Sequence, residues 1–300
     1  MRSISADAGS LKSPMTFLPW LNDVSGRARR IETPCDDGSM VWRVWGEGEP
    51  LVLLHGGFGS WMHWCRNVLP LSQHYQVIAA DIPGLGESDL PDPPHDADRL
   101  AGIISNGLSE IVGKTGRCHI VGFSFGSMLG SVVASGLEDR LSSLTLVGVA
   151  GMGPRERGPT AGMVRVHPEM DADEHDRAIR TNLEILMLAD PANVDDLAMH
   201  IQSDNTKRSR IRSRPLSLSD RTLVELERVW GPVGAIWGGH DRTCWGVIEE
   251  RKQEIMDAAP SADIRVLDGV GHWVQYEDAE GFNAELLDLL ADARGRPSGR

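Results

Sequence analysis

Ser124 lies in Gly122-Phe123-Ser124-Phe125-Gly126, a G-x-S-x-G pattern. The preceding RCHIVGF reads as a buried strand. The following stretch reads as a helix rich in Gly, Ser and Ala. A serine on a sharp strand-to-helix turn is held strained, with its hydroxyl presented outward. Small residues two before and two after it let the backbone fold back on itself. The helix N-terminus also favours negative charge developing beside it. The competing reading is a phosphate-binding strand–helix turn. Neither G-x-G-x-x-G spacing nor a Walker lysine accompanies the motif to support it.

A serine hydroxyl becomes a strong nucleophile only beside a base, and the base needs an orienting group. His272, in GVGHW, follows the strand-like run ADIRVLDG, and Asp241, in GGHDR, follows VGAIWGG. Taken singly, they read as a loop histidine and a helix cap. Taken with the elbow, the chain order Ser124, Asp241, His272 is that of a nucleophile, acid and base. Acyl transfer also needs donors for an oxyanion. His55-Gly56-Gly57-Phe58-Gly59 follows the apolar run LVLL and supplies a turn with backbone N–H groups to aim. The Phe125 N–H is expected to be one donor, and that of Phe58 or Gly57 the other. His55 is expected to anchor the turn. Trp273, Phe123, His63 and Trp61 flank these motifs and are expected to wall the substrate pocket.

Positioning such groups requires a sheet whose strands end together. Met40–Trp45, Leu51–His55, Gln76–Asp81, Arg117–Phe123, Leu141–Ala150, Val233–Gly239 and Ala262–Gly269 read as strands. Ala97 to about Lys114 carries a helical apolar stripe, and Ser124–Leu137 a small-residue helix. Continuous apolar strands alternating with helices predict a mostly parallel sheet covered on both faces. From 154 to 215 the rhythm is helical and polar. One sheet domain, 1–153 and 216–300, is therefore expected to be interrupted by a helical cap over 154–215. Residues up to about Ser25 read as a loose arm, and the tail from Arg294 as frayed. Within the cap, DADEHD (171–176) reads as an acid-rich helix start rather than a Ca²⁺ loop.

The bulk properties exclude whole classes. The 300 residues are 41% hydrophobic and 24% charged, which is ordinary for a folded globular chain. A net charge of −13 argues against a nucleic-acid partner. No apolar run approaches a membrane span, and no signal peptide is evident. Four scattered cysteines read as reduced thiols, so a cytoplasmic location is expected. Against the acidic balance, KRSRIRSR (207–214) holds five basic residues and no acid. It reads as a solvated cap face or as an electrostatic guide for an anionic substrate.

The segments LVLLHGGFGSWMHW, VIAADIPGLGESD, HIVGFSFGSMLG, AIWGGHDRT and DGVGHWVQYED together resemble the α/β-hydrolase superfamily, across about residues 40–292. Within it, LTLVGVAGMGP, NLEILMLADPANVDDL and GHWVQYEDAEGFN are most similar to the meta-cleavage-product hydrolases, which break C–C bonds in aromatic degradation. The resemblance implies an α/β-hydrolase fold with an inserted helical cap, no metal and no organic cofactor. The chain departs from that subfamily in having HGGFGS at the oxyanion turn and Phe123 and Phe125 beside the nucleophile. It has Ile201 roughly where a cap arginine would grip a substrate carboxylate, with Arg208, Arg210 and Arg212 nearby. The expected activity is hydrolysis of a small carboxylic ester or lactone by a Ser-His-Asp triad. The alternatives are C–C hydrolysis of a vinylogous diketone and, from another class, a ligand receptor on a hydrolase scaffold. A small molecule is the expected partner, and a homo-oligomer is open.

Overall fold

The run Pro50–Leu54 is buried on both sides. Leu51 and Leu53 join one apolar cluster, Val52 and Leu54 the other, and all four have no exposed surface. Such a strand can sit only in the middle of a covered sheet. The computed structural model describes residues 14–153 and 162–295. Its elements begin with α1 (Pro14–Gly26), β1 (Arg29–Cys35), β2 (Gly38–Trp45), β3 (Pro50–Leu54), α2 (Val68–Leu71), β4 (Gln76–Ala80), α3 (Ala97–Val112), β5 (Cys118–Phe123), α4 (Phe125–Leu137) and β6 (Leu141–Val147). A helical excursion follows, with α5 (Ala172–Asn182), a π-helical turn at Leu183–Met187, α6 (Asp196–Arg208), α7 (Ser213–Ser217) and α8 (Arg221–Leu226). The chain closes with β7 (Val233–Gly238), α9 (Ile248–Ala258), β8 (Asp263–Leu267), α10 (Val274–Glu277) and α11 (Ala279–Gly295).

The eight strands run in the order β1-β2-β4-β3-β5-β6-β7-β8. The pairs β1/β2 and β2/β4 are antiparallel and every other pair is parallel. Leu54 lies opposite Gly122, Phe123 opposite Val147, and Gly238 opposite Leu267. The turns that follow β3, β5, β7 and β8 therefore emerge along one edge, where open parallel sheets bind ligands. They are the turns that carry the HGGFG motif, Ser124, Asp241 and His272.

Three expectations are corrected. Residues 14–26 form a helix rather than a loose arm. Pro14 opens it, where a missing N–H costs nothing. Phe17, Leu21 and Val24 bury one stripe, packing on α6 with the Phe17 ring against His200, and the Trp45 indole donates to Val24 O at 2.8 Å. β1 was not anticipated because RRIETPC is a polar edge strand, largely exposed on one side. α11 continues through Arg294 to Gly295. The remaining arm and tail residues, and 154–161 at the start of the expected cap, lie outside the described residues.

The helical excursion leaves and rejoins the sheet through a paired hinge. Gly151 N–H donates to Ser217 O, Gly153 N–H to Ser219 O, and Thr222 N–H to Gly151 O. α7 straddles the expected boundary at 215, so the return path is helical rather than a linker. α5 opens on a full capping box, Asp171 with Glu174, as its acid-rich sequence foretells. The basic strip is partly a docking element. Arg210 bonds Gly84 O and Ser88 O and Ile211 is buried over Gly84, while all five basic residues of the strip are exposed. The four cysteines are free and buried, and no helix among the described residues is long and apolar enough to cross a membrane.

Candidate active site

β5 is buried at every position, and Ser124 ends it in a left-handed conformation, φ 50° and ψ −115°. Its N–H donates to Val147 O at 2.8 Å, and its own carbonyl accepts from Ser127 N and Oγ. The flanking glycines are steric requirements. A Cβ on Gly122 would strike the Gly126 backbone, and one on Gly126 would strike the Leu54–His55 backbone. Ser124 remains partly accessible while its neighbours Phe123 and Phe125 are buried.

The HGGFG turn lies against this elbow. A Cβ on Gly56 would sit 3.4 Å from Ser124 Cβ. His55 is fully buried. Its Nε2 accepts from Ile82 N–H at 2.9 Å, so its proton is on Nδ1, which donates to Gly56 O at 2.7 Å. Burial pushes the imidazole down to about 4, so His55 is a neutral anchor. The Gly56 N–H is taken by His63 Nδ1 at 3.3 Å. Among the described residues no acceptor takes the Phe58 or Phe125 N–H, and Phe58 has φ 50°, a costly value for an aromatic residue. Left-handed residues on both sides of one site, beside these amides and that of Gly57, which likewise has no acceptor among the described residues, are the arrangement an oxyanion would use.

Asp241 and His272 come together from β7 and β8. His272 Nδ1 lies 2.8 Å from Asp241 Oδ2, and both residues are buried. Thr243, which the sequence reading passed over, donates its N–H and its hydroxyl to Asp241 Oδ1, each at 2.7 Å. The signal was the Asp-x-Thr spacing of a capped turn. The Phe123 ring centroid stands 4.9 Å from that of His272, bringing the imidazole beside the neighbour of Ser124. Gly148, just past β6, leaves room for the imidazole against the sheet.

The four expected pocket residues lie under the site rather than lining an open cavity. Trp273 has no exposed surface, stacks on Tyr276 at 4.1 Å and donates its indole N–H to His63 O. Trp61 is 5% exposed, beneath the Arg43 guanidinium and beside Trp45. His63 is held between Phe123 and Trp273, and burial lowers its basicity strongly. The physical reason is that apolar rings flanking a motif gain more from the core than from solvent. Phe58, expected only as a backbone donor, is instead the exposed aromatic of the turn, and Ser213 of α7 packs on Gly57. Asp81 braces the turn from below, accepting from Trp61 N–H and Glu87 N–H beside Arg43 at 3.5 Å. Its burial raises the carboxyl's affinity for protons.

The depressed basicity of His55 has a stability consequence. The unfolded chain binds a proton below about pH 6.5, and the folded His55 does not until about 4. Stability from this group is thus complete above pH 6.5 and is lost as pH falls from there to 4, by on the order of 3 kcal/mol. His63 adds a loss of the same sign. Melting temperature measured from pH 7.5 to 4.5 is expected to fall, and to fall less steeply in His55→Asn. An unchanged slope in that variant would remove His55 as the source.

The alpha/beta hydrolase family profile matches residues 51–285, and the chain belongs to that family. It is 31% identical over 255 residues to the dihydrolipoyllysine-residue acetyltransferase component of an acetoin cleaving system from Pseudomonas putida. That match spans 81% of this chain but only 64% of the relative. It is 26% identical over 269 residues to a 2-hydroxy-6-oxononadienedioate/2-hydroxy-6-oxononatrienedioate hydrolase from Comamonas testosteroni, covering 82% and 89% of the two chains. In fold it is similar to the esterase RhEst1 from Rhodococcus sp. ECU1013, with TM-score 0.72, 22% identity, and 89% and 99% of the chains covered.

Proposed function

We propose that this hydrolase cleaves a small carboxylic ester or lactone through an acyl-enzyme on Ser124. The observation that carries the reading is the 2.8 Å Asp241–His272 pair, on the same sheet edge as a left-handed serine and the unclaimed amides of Phe58 and Phe125. In this mechanism Ser124 Oγ attacks the carbonyl carbon as His272 Nε2 takes its proton. The Phe125 and Phe58 N–H groups hold the oxyanion. Collapse expels the alcohol, which receives that proton from His272. Water then attacks the acyl carbon, giving a proton to His272, and collapse releases the acid and restores the serine hydroxyl. Asp241 keeps the His272 proton on Nδ1 and stabilises the imidazolium.

The ester reading is preferred to C–C cleavage because of what surrounds the site. A dienoate product of ring fission carries a carboxylate that needs a cation. Ile201 is fully buried and apolar at the cap position where the resemblance implies an arginine. Arg208 is paired with Asp204 at 2.7 Å, and Arg210 is bound to backbone carbonyls. Phe123 and Phe125 make the nucleophile's surroundings apolar. The C–C reading keeps the support of the Comamonas testosteroni relative. Purified protein assayed on p-nitrophenyl esters and lactones, beside a yellow ring-fission dienoate, separates the two. Ester or lactone turnover is expected to exceed bleaching of the dienoate by about a hundredfold or more in kcat/KM, the range lost when an ionic partner is missing. Rapid bleaching with negligible ester turnover would reverse the assignment.

A further inference from the structure

The Glu277 carboxylate, at the end of α10, accepts backbone and side-chain N–H groups from two places at once. Oε2 takes Gly271 N–H at 2.7 Å, one residue before His272. Oε1 takes Asp190 N–H at 2.9 Å and Asn193 Nδ2 at 3.0 Å, and both oxygens share Ala189 N–H at 2.9 and 3.0 Å. On the other side of His272, Trp273 N–H donates directly to Met187 O at 2.7 Å. Both backbone neighbours of His272 are thus tied to residues 187–193, which leave the π-helical turn of the cap. The fit is close: a Cβ on Gly271 would lie 2.6 Å from Ala189 N. π-turns recur where a helix is bent for function. This one brings its last carbonyl, Met187 O, onto Trp273 N–H and the amides of Ala189 and Asp190 onto Glu277.

We propose that Glu277 is a positioning residue that ties the backbone of His272 to the seated cap. It acts through the Gly271 peptide and touches no substrate. Side-chain orientation is already set from the acid side by Asp241. Glu277 sets where the loop itself stands, so the imidazole meets Ser124 only when residues 189–193 are in place. This rests on the reading of His272 as the base for Ser124.

A glutamine tests the two halves separately. It offers one oxygen and one NH₂ group. Three donors converge from the cap and one from Gly271, so the oxygen goes to the cap and the NH₂ meets Gly271 N–H, donor against donor. Glu277→Gln therefore keeps the cap contacts and breaks the one beside His272. Asn193→Ala removes a cap donor and leaves the Gly271 bond. The readout is the rate of Ser124 labelling by a fluorophosphonate, with Tm, kcat and KM for the best ester measured alongside. Glu277→Gln is expected to lower the labelling rate and kcat together by about ten- to a hundredfold, the scale of a small misplacement of a reacting group. KM is expected to stay within about twofold. Asn193→Ala is expected to slow labelling too, but less than Glu277→Gln, because it loses one cap donor and keeps the Gly271 bond beside His272. Wild-type labelling in a folded Glu277→Gln protein would overturn the proposal, as would a loss carried only by KM. Glu277→Ala is not needed for the result, so its misfolding would not obscure it. A wild-type protein that is never labelled at Ser124 would instead sink the serine-hydrolase reading, and this inference with it.

Discussion

Ser124→Ala is expected to reduce kcat on the best ester by about 10⁴-fold or more and to abolish fluorophosphonate labelling, with Tm unchanged within a few degrees. The size follows from chemistry. Without the hydroxyl there is no acyl-enzyme, and what remains is substrate binding beside the amides of Phe125 and Phe58. The neutrality toward stability follows from structure. Ser124 makes no side-chain cap to α4, and the left-handed backbone that strains a serine strains an alanine equally. Activity and stability are separable at this position, and a loss of rate in this variant reports on the nucleophile. Full turnover by Ser124→Ala of every substrate the wild type accepts would refute the serine mechanism.

Asp241→Asn is the second large effect, with kcat expected to fall by about 10³- to 10⁴-fold. Oδ1 of Asp241 accepts both the N–H and the hydroxyl of Thr243. The amide oxygen of an asparagine must take that place, because its NH₂ cannot accept. The NH₂ then faces His272 Nδ1, where the wild type has Oδ2 at 2.8 Å. Nδ1 becomes an acceptor, the imidazole proton moves to Nε2, and the nitrogen meant to receive the serine proton is already occupied. The same logic predicts that Thr243→Val partly relieves the Asn variant. Removing the hydroxyl weakens the demand for an oxygen at that position and lets the amide flip. Steady-state rates and thermal melts of the single and double variants check this. A kcat for Asp241→Asn within about tenfold of wild type would exclude Asp241 as the orienting acid.

Much of this was legible in the chain because the signals were local. Strand–Ser–helix spacing, glycines two residues either side of Ser124, and Asp and His each just past a β-run all lie within short windows. A parallel sheet forces such windows onto one edge. The runs around Leu51–Leu54 and Cys118–Phe123 are apolar on both faces, which admits no location but the interior. What escaped was whatever depended on partners distant in sequence. α1 is made a helix with a buried stripe by Trp45 and by α6, on which it packs, whereas its Ser and Pro content alone suggests a loose segment. Trp273 and Trp61 sit beside the candidate site motifs in the chain, yet their rings turn into the core, a direction one-dimensional order cannot express. Part of the basic strip anchors the helical excursion because Gly84 and Ser88, more than a hundred residues earlier, offer it carbonyls.

By itself, the sequence determined the hydrolase family, the chain order of the candidate residues Ser124, Asp241 and His272, and the sheet that carries them. Each follows from residue type and short-range periodicity, which are properties of the chain. The tertiary structure alone decided which oxygen of Asp241 meets His272, which amides beside Ser124 stay unclaimed, and that Glu277 joins the cap to the loop of His272. Those are matters of distance and direction between groups up to 88 residues apart, set only when burial brings them to hydrogen-bonding range.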